Sequence, residues 1–485
     1  MLLGGPTSGQ AGGLVLARLV LVSNRVAVPG REGGSQAGGL AVAIHPVLRR
    51  HPGIWFGWSG QVAGKSGVTV RTIQRGHQSY VLIDLIEEDY REYYNGYANR
   101  VLWPILHYRL DLAEFSRRDL SGYMRVNQTF ATELDKLLQP DDVVWVHDYH
   151  LFPLAKALRD RGHRNKIGFF HHIPFPPPEI LTALPNHERL IPAMCHYDLL
   201  GFQTEIDAAN FAHYLRNECR IPGRDQYTYQ TPDRTVRIGI FPVGVETAQL
   251  SRLARRAAQA PFVRDVMESL VDRVMIIGVD RLDYSKGIAL RMEAFDRFLS
   301  THSDWRGKVT YLQITPRSRS EIQEYADMER QIDETAGRIN GTYGEASWTP
   351  IRYVKRVHGR SALVGLYRSA RVALVTPLRD GMNLVAKEYV SAQDAEDPGV
   401  LILSRFAGAA VELEAALLVN PYDTESVGRA IAQALSMPLD ERRTRHDAMF
   451  QVLLANNVKL WGERFLSTLT RPPNFLSRLA RMNLA

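Results

Sequence analysis

Short apolar runs rich in β-branched residues recur along the chain, each followed by a loop and a stretch with helical spacing. In the first half they are RLVLVSNR (18–25), SYVLIDL (79–85), DVVWVHD (142–148), KIGFFHH (166–172), LLGFQT (199–204) and VRIGIFPVG (236–244). In the second half they are RVMIIGVDR (273–281), KVTYLQIT (308–315), IRYVKR (351–356), RVALVTP (371–377), VLILS (400–404) and ALLVN (416–420). A strand that is apolar at every position is buried on both faces. Such strands alternating with helices make parallel sheets covered on either side. The fold class is therefore α/β, and two sets of strands fit two doubly wound domains. The change between them falls near 245–265, where SRLARRAAQA reads as a polar helical connector. From about 440 only helical patterns remain. A chain of 485 residues also exceeds what one ordinary core supports.

The opening MLLGGPTSGQAGG is small and polar and is expected to be flexible over 1–17. The apolar run after it carries Arg18 and lacks a basic flank and a cleavage site, so it reads as a first strand rather than a signal peptide. No run approaches the ~20 apolar residues of a membrane span, and the expectation is a cytoplasmic protein without a membrane partner. The 2 cysteines, Cys195 and Cys219, stand in no metal or redox spacing and read as free thiols. Lys and Arg number 59 against 52 acids, a net charge of +7. The basic clusters SRLARR (251–256) and ERRTRH (441–446) are short and read as solvated helix faces, with no aromatic residues interleaved as in a nucleic-acid surface. A cationic excess also suits an enzyme of phosphorylated substrates.

In doubly wound sheets ligands bind beyond the carboxyl ends of the strands. The polar residues there are Arg25, Asp148, His171, His172, Arg281, Asp283, Arg319 and Asp380. QAGGLAVAIHPVLRR (36–50) places Gly38 and Gly39 at a helix start, where an anion can approach the backbone; a simple tight turn has the same signature. In VDRLDYSKGI (279–288), Arg281 and Lys286 stand five apart between a strand and a helix. They suit phosphate oxygens, or equally a surface loop with two solvated cations. His147 and His150 in HDYH lack the companions of a zinc site, and no Asp-x-Asp occurs, so no metal is expected.

TPLRDGMNLVAKEYV (376–390) carries Asp380 before a helix start and Glu388 within the helix. Glycosidase carboxylates sit roughly 5–5.5 Å or 6.5–9.5 Å apart. Eight helical residues span about 12 Å, too far for an acid–nucleophile pair. The spacing suits two acids gripping one long ligand, with the amides of Met382, Asn383 and Leu384 between them for an anion. A sugar, a diphosphate and a ribose in that order describe a nucleotide sugar.

SNR (23–25), AGGL (37–40), WFGWSG (55–60), EYYNGYANRVLWPILHY (92–108), WVHDYHL (145–151), GFFHHIPFP (168–176), DRLDYSKG (280–287), GRINGTYG (337–344) and the 376–390 stretch together resemble the trehalose-6-phosphate synthase family, from about 18 to 470. The resemblance implies a GT-B fold, two Rossmann-like domains facing a central cleft. The acceptor domain would run over 18–250, the nucleotide-sugar domain over 251–455, and a helical segment, 456–485, would pack back across both. It implies retaining transfer of glucose from UDP-glucose to glucose 6-phosphate, with no cofactor, in a homo-oligomer (dimer or tetramer). By the same resemblance Arg281 and Lys286 bind the donor diphosphate, helped by the backbone of Gly38 and Gly39. Asp380 holds the donor glucose with backbone from Asn383, Leu384 and Val385, and Glu388 takes the ribose. Arg25, Tyr94 and Arg319 bind the acceptor phosphate, Trp103 and Asp148 position its sugar, and His172 lies beside the transferred glucose. The family's main-chain contact to the nucleobase falls at His358, where an aromatic is commoner. The pair Arg25 and Arg319 separates this family from transferases with polymer acceptors, which have no phosphate to hold.

Overall fold

The computed structural model describes residues 18–29, 39–64, 69–318 and 322–471. The segment expected to be flexible, 1–17, lies outside these residues, as do Gly38 and Arg319. The strands are β1 (Leu19–Arg25), β2 (Gly53–Ala63), β3 (Thr69–Arg75), β4 (Gln78–Ile86), β5 (Val143–His147), β6 (Lys166–Phe170), β7 (Leu199–Phe202), β8 (Thr228–Gln230), β9 (Thr235–Ile240), β10 (Val274–Val279), β11 (Val309–Ile314), β12 (Ile351–Val354), β13 (Val372–Val375), β14 (Val400–Ser404) and β15 (Leu417–Val419). Among the described residues they form a 9-stranded sheet, β3-β4-β2-β1-β5-β6-β7-β9-β8, and a 6-stranded sheet, β12-β11-β10-β13-β14-β15. Every pairing in the second sheet is parallel. In the first, only the edge strands β3 and β8 run antiparallel to their neighbours.

The apolar runs fall on these strands because both of their faces are covered. β5, β13 and β14 are buried along their whole lengths, and β1 is buried up to Arg25, which emerges at the carboxyl edge. Alternation then divides the side chains between cores. Val20, Val22, Val144 and Val146 join a core on one face of the first sheet, and Ile276, Leu374 and Ile402 one on the far face of the second. Leu21, Trp145, Ile277 and Leu403 belong to a third core common to both sheets.

The chain passes between the sheets at two adjacent places. After β9 it enters the helix Thr247–Ala257, and it returns where Val458 N–H donates to Val245 O at 3.3 Å. Gly244 lies against the returning backbone so closely that a Cβ there would sit 2.0 Å from Asn456 O. The last described helix, Val458–Thr470, then lies on the first sheet, its Phe465 ring stacked on Trp145 at 4.4 Å. The cluster ERRTRH is only partly the solvated face expected of it. Arg442 pairs with Asp397 at 2.6 Å, Arg443 with Glu396 at 3.1 Å, and His446 is buried against Val390 O. Acids of the loop after the helix Leu384–Ala392 attract these cations, which spacing within one helix could not reveal. Both cysteines are free.

Candidate active site

Two loops at the carboxyl edge of the second sheet are laced together by one buried arginine. Arg291, on the helix Ile288–Thr301, pairs with Asp280 at 2.6 Å, donates to Lys286 O at 3.0 Å and reaches Thr376 Oγ1 at 2.9 Å. Leu378 N–H donates to Ser285 O at 2.7 Å, completing the seam. These contacts bring Lys286 and Asp380, 94 residues apart in sequence, to an Nζ–Oδ2 distance of 2.5 Å. Burial pushes the Asp380 carboxyl up, but the Lys286 charge and hydrogen bond, with His107 and Asn383, outweigh it and leave the group below its ordinary range.

Asp380 is held by its backbone as well, with its N–H on Phe406 O and its C=O taking Gly408 N–H, both at 3.1 Å. Asn383 donates to Asp380 Oδ2 at 3.0 Å, and its own oxygen caps the helix Leu384–Ala392 by accepting Ala386 N–H at 3.1 Å. A helix start leaves four amides unpaired. The cap satisfies one, so Leu384 and Val385 bring amide donors to the positive end of the helix beside Asp380. Glu388 follows one turn on. Burial raises its carboxyl to about 7, against the pull of Arg360. His358 lies two residues before Arg360, its ring 5.2 Å from that of Phe262.

The first sheet contributes an aromatic wall. Arg25 leaves the end of β1 with its guanidinium 6.0 Å from the Trp58 ring. Tyr94 lies in a π-helix, Tyr90–Leu102, between Trp58 at 5.3 Å and His150, stacked at 6.0 Å. Trp103, at the end of that helix, packs on His107 at 4.0 Å. Burial holds the His107 imidazole down to about 4, so it is neutral at physiological pH. Asp148 takes a positive φ of 75°, a conformation that costs a non-glycine residue on the order of 1–3 kcal/mol. There its carboxylate accepts His172 N–H at 3.3 Å. His172 Nε2 meets His147 Nδ1 at 3.0 Å. Burial, with His147 and His171 nearby, keeps His172 well below the ordinary imidazole range, so it too is neutral.

The two edges meet directly. The Arg281 guanidinium lies 4.7 Å over the Trp103 ring and 3.2 Å from Asp283. Fully buried Asp283 also accepts from Trp103 Nε1 at 3.4 Å and from Ser285 Oγ at 2.8 Å. Arg379 lies 4.0 Å from the Tyr108 ring. A Cβ on Gly381 would stand 2.3 Å from His172 O, so the loop carrying Asp380 runs in backbone contact with the loop carrying His172. The structure thus gathers Arg281, Lys286, Asp380, Asn383, Trp103, Asp148 and His172, while Arg25 and Tyr94 stand along the same edge of the first sheet. Gly39 opens the helix Gly39–Leu48. Sequence reasoning passed over Arg291 and His107. The only signal for Arg291 was a cation three residues into a helix that otherwise presents apolar residues to the core. Among the described residues no group of three or more His, Cys, Asp or Glu is placed to hold a metal ion, and no helix is long and apolar enough to cross a membrane.

Two doubly wound sheets that bring their strand ends together around cations, an acid and free helix-start amides define a glycosyltransferase of the GT-B class. The profile of glycosyltransferase family 20 matches residues 19–471, and the chain belongs to that family. It is 52% identical over 457 residues to a trehalose-6-phosphate synthase of Sinorhizobium fredii, covering 94% of this chain and 98% of the relative. A solved trehalose-phosphate synthase (UDP-forming) from Burkholderia xenovorans, in complex with glucose-6-phosphate, superposes with a TM-score of 0.92 at 48% identity, covering 94% of this chain and 100% of that one. A trehalose-6-phosphate synthase structure from E. coli, bound with UDP-2-fluoro glucose, gives 0.89 at 45% identity over 94% of this chain and 99% of the other.

Proposed function

We propose that this protein transfers glucose from UDP-glucose to glucose 6-phosphate with retention, forming α,α-trehalose 6-phosphate and UDP. The carrying observation is the Lys286–Asp380 pair, set beside Arg281 and the amides of Leu384 and Val385. One carboxylate suits sugar hydroxyls, and the two cations with the helix start suit the diphosphate next to it. Glu388 accepts from the ribose hydroxyls, and the backbone of Gly38, Gly39 and His358 completes the donor site. Arg25, Tyr94 and Arg319 take the acceptor phosphate, and Trp103 and Asp148 its sugar.

Neutral His172 donates or accepts a hydrogen bond at the transferred glucose rather than acting as a cation. The acceptor hydroxyl attacks from the face the diphosphate leaves, and a leaving phosphate oxygen takes its proton. Catalysis is then positioning plus stabilisation of the charge growing on that phosphate, supplied by Arg281 and Lys286. With this reading go an acceptor domain over 18–250, a donor domain over 251–455 and a closing segment, 456–485. A cytoplasmic homo-oligomer, dimer or tetramer, without metal also belongs to it. Sedimentation of the purified protein measures the assembly.

The test is UDP release measured with each substrate alone, with both, and with glucose in place of glucose 6-phosphate. Release requires both substrates and survives EDTA, and Arg319→Ala raises the KM for glucose 6-phosphate well beyond that for the donor. Equal release with plain glucose refutes the acceptor assignment.

A further inference from the structure

Next to Glu388, on the same helix, Lys387 is wholly buried. Burying an ammonium is expensive, and a single carboxylate partner repays little more than an apolar pair of the same shape would achieve. Lys387 has such a partner in Glu412, yet its Nζ also donates at 2.8 Å to Val243 O, in the segment that follows β9 of the first sheet. Val243 is the first step of a chain. Its N–H donates to Gln203 Oε1 at 3.0 Å, and Gln203 Nε2 donates to His172 O at 3.4 Å. Gln203 is 3% exposed and stands just past β7, as His172 stands past β6. Three carboxyl ends of the first sheet are thereby tied to the helix that begins at Leu384. The Glu412 end is anchored as well, because Ala409 N–H donates to Met382 O at 2.7 Å and Gly408 N–H to Asp380 O.

We propose that Lys387 and Gln203 are positioning residues, which hold the His172 loop in register with the helix bearing Asn383 and Glu388 through the bridge Lys387–Val243–Gln203–His172. Neither residue touches substrate. Gln203 presents an acceptor to one strand end and a donor to the next, which no apolar residue of its shape can do. Lys387 supplies the one link in this chain that crosses from the second sheet to the first. The consequence rests on the activity proposed above: the acceptor and His172 belong to one sheet and most of the donor site to the other, so transfer depends on their relative placement to well under 1 Å.

The experiment uses the whole chain with K387M/E412Q, which removes both charges together, with Q203L, and with all three substitutions. Circular dichroism confirms folding, and kinetics are compared with UDP affinity, which reports the donor site alone. The expected result is a fall in kcat of about ten-fold or more for either variant, UDP affinity within about two-fold of wild type, and no further loss on combining them, since residues in one network do not add. In the ligand-free protein, K387M/E412Q also speeds amide exchange at Val243. A kcat within two-fold of wild type, losses that multiply, or a parallel loss of UDP affinity overturns the proposal, and so does unchanged exchange at Val243. The exchange measurement needs no turnover. Faster exchange in a protein that releases no UDP from the two substrates would uphold the bridge and refute the activity.

Discussion

Glu388 carries a testable quantity in its protonation. Desolvation pushes its carboxyl up to about 7, against the pull of Arg360. A ribose whose two hydroxyls donate to this group favours the anion, so donor binding expels the proton. With a free-state value near 7, about 0.9 proton is released on binding at pH 6 and about 0.1 at pH 8, and affinity rises about ten-fold between them. UDP-glucose suits the measurement because its esterified phosphates do not titrate near neutrality. Calorimetry in buffers of different ionisation enthalpy counts the protons directly. Glu388→Gln cannot release one, so the variant's UDP-glucose affinity becomes flat over this range. The same group makes a stability prediction of unusual sign. An unfolded glutamate ionises near its ordinary value and the folded one near 7, so the native state is the better proton binder. Stability is therefore full at acid pH and declines as pH rises toward 7. At pH 8 Glu388→Gln recovers up to about 3 kcal/mol of it, read from urea unfolding. Wild-type proton release that persists unchanged in Glu388→Gln would refute the placement of ribose on this carboxylate.

Lys286→Met removes a charge from the phosphate side and leaves Asp380 buried without its cation; kcat falls by roughly 100–1,000-fold in UDP-release assays. In that variant burial dominates Asp380, so its residual rate is lost at a higher pH than in wild type as the solution is acidified. A pH–rate profile checks both. Phe465→Ala deletes the ring stacked on Trp145, and calorimetric or urea unfolding measures a loss of about 3–5 kcal/mol.

Much of the architecture was legible because buried parallel strands carry their signature in uninterrupted apolar runs. β2, β3 and β8 escaped that signature for different reasons. β2 is glycine-rich, GIWFGWSGQVA, and its pairing with β4 shifts register between Trp58 and Val62. β3 is a polar edge strand, TVRTIQR, exposed along most of its length, and β8 has only 3 residues. Strand-end reasoning marked Arg281, Asp283 and Asp380 as neighbours of a ligand. It could not supply Arg291, whose buried guanidinium holds two of those loops together, because the partners that justify burying an arginine lie 85 residues away at Thr376 and 11 away at Asp280. Lys387 and Gln203 were hidden for the same reason. A buried polar side chain looks like any helical or loop residue until its distant acceptors are known.

The two adjacent crossings near Val245 and Val458 have a mechanical consequence. A single connector would let the two halves swivel about any axis through it. Two connectors clamped side by side, with Gly244 against Asn456, resist that swivel. A Cβ added at Gly244 would force the two connectors apart and disturb both halves at once.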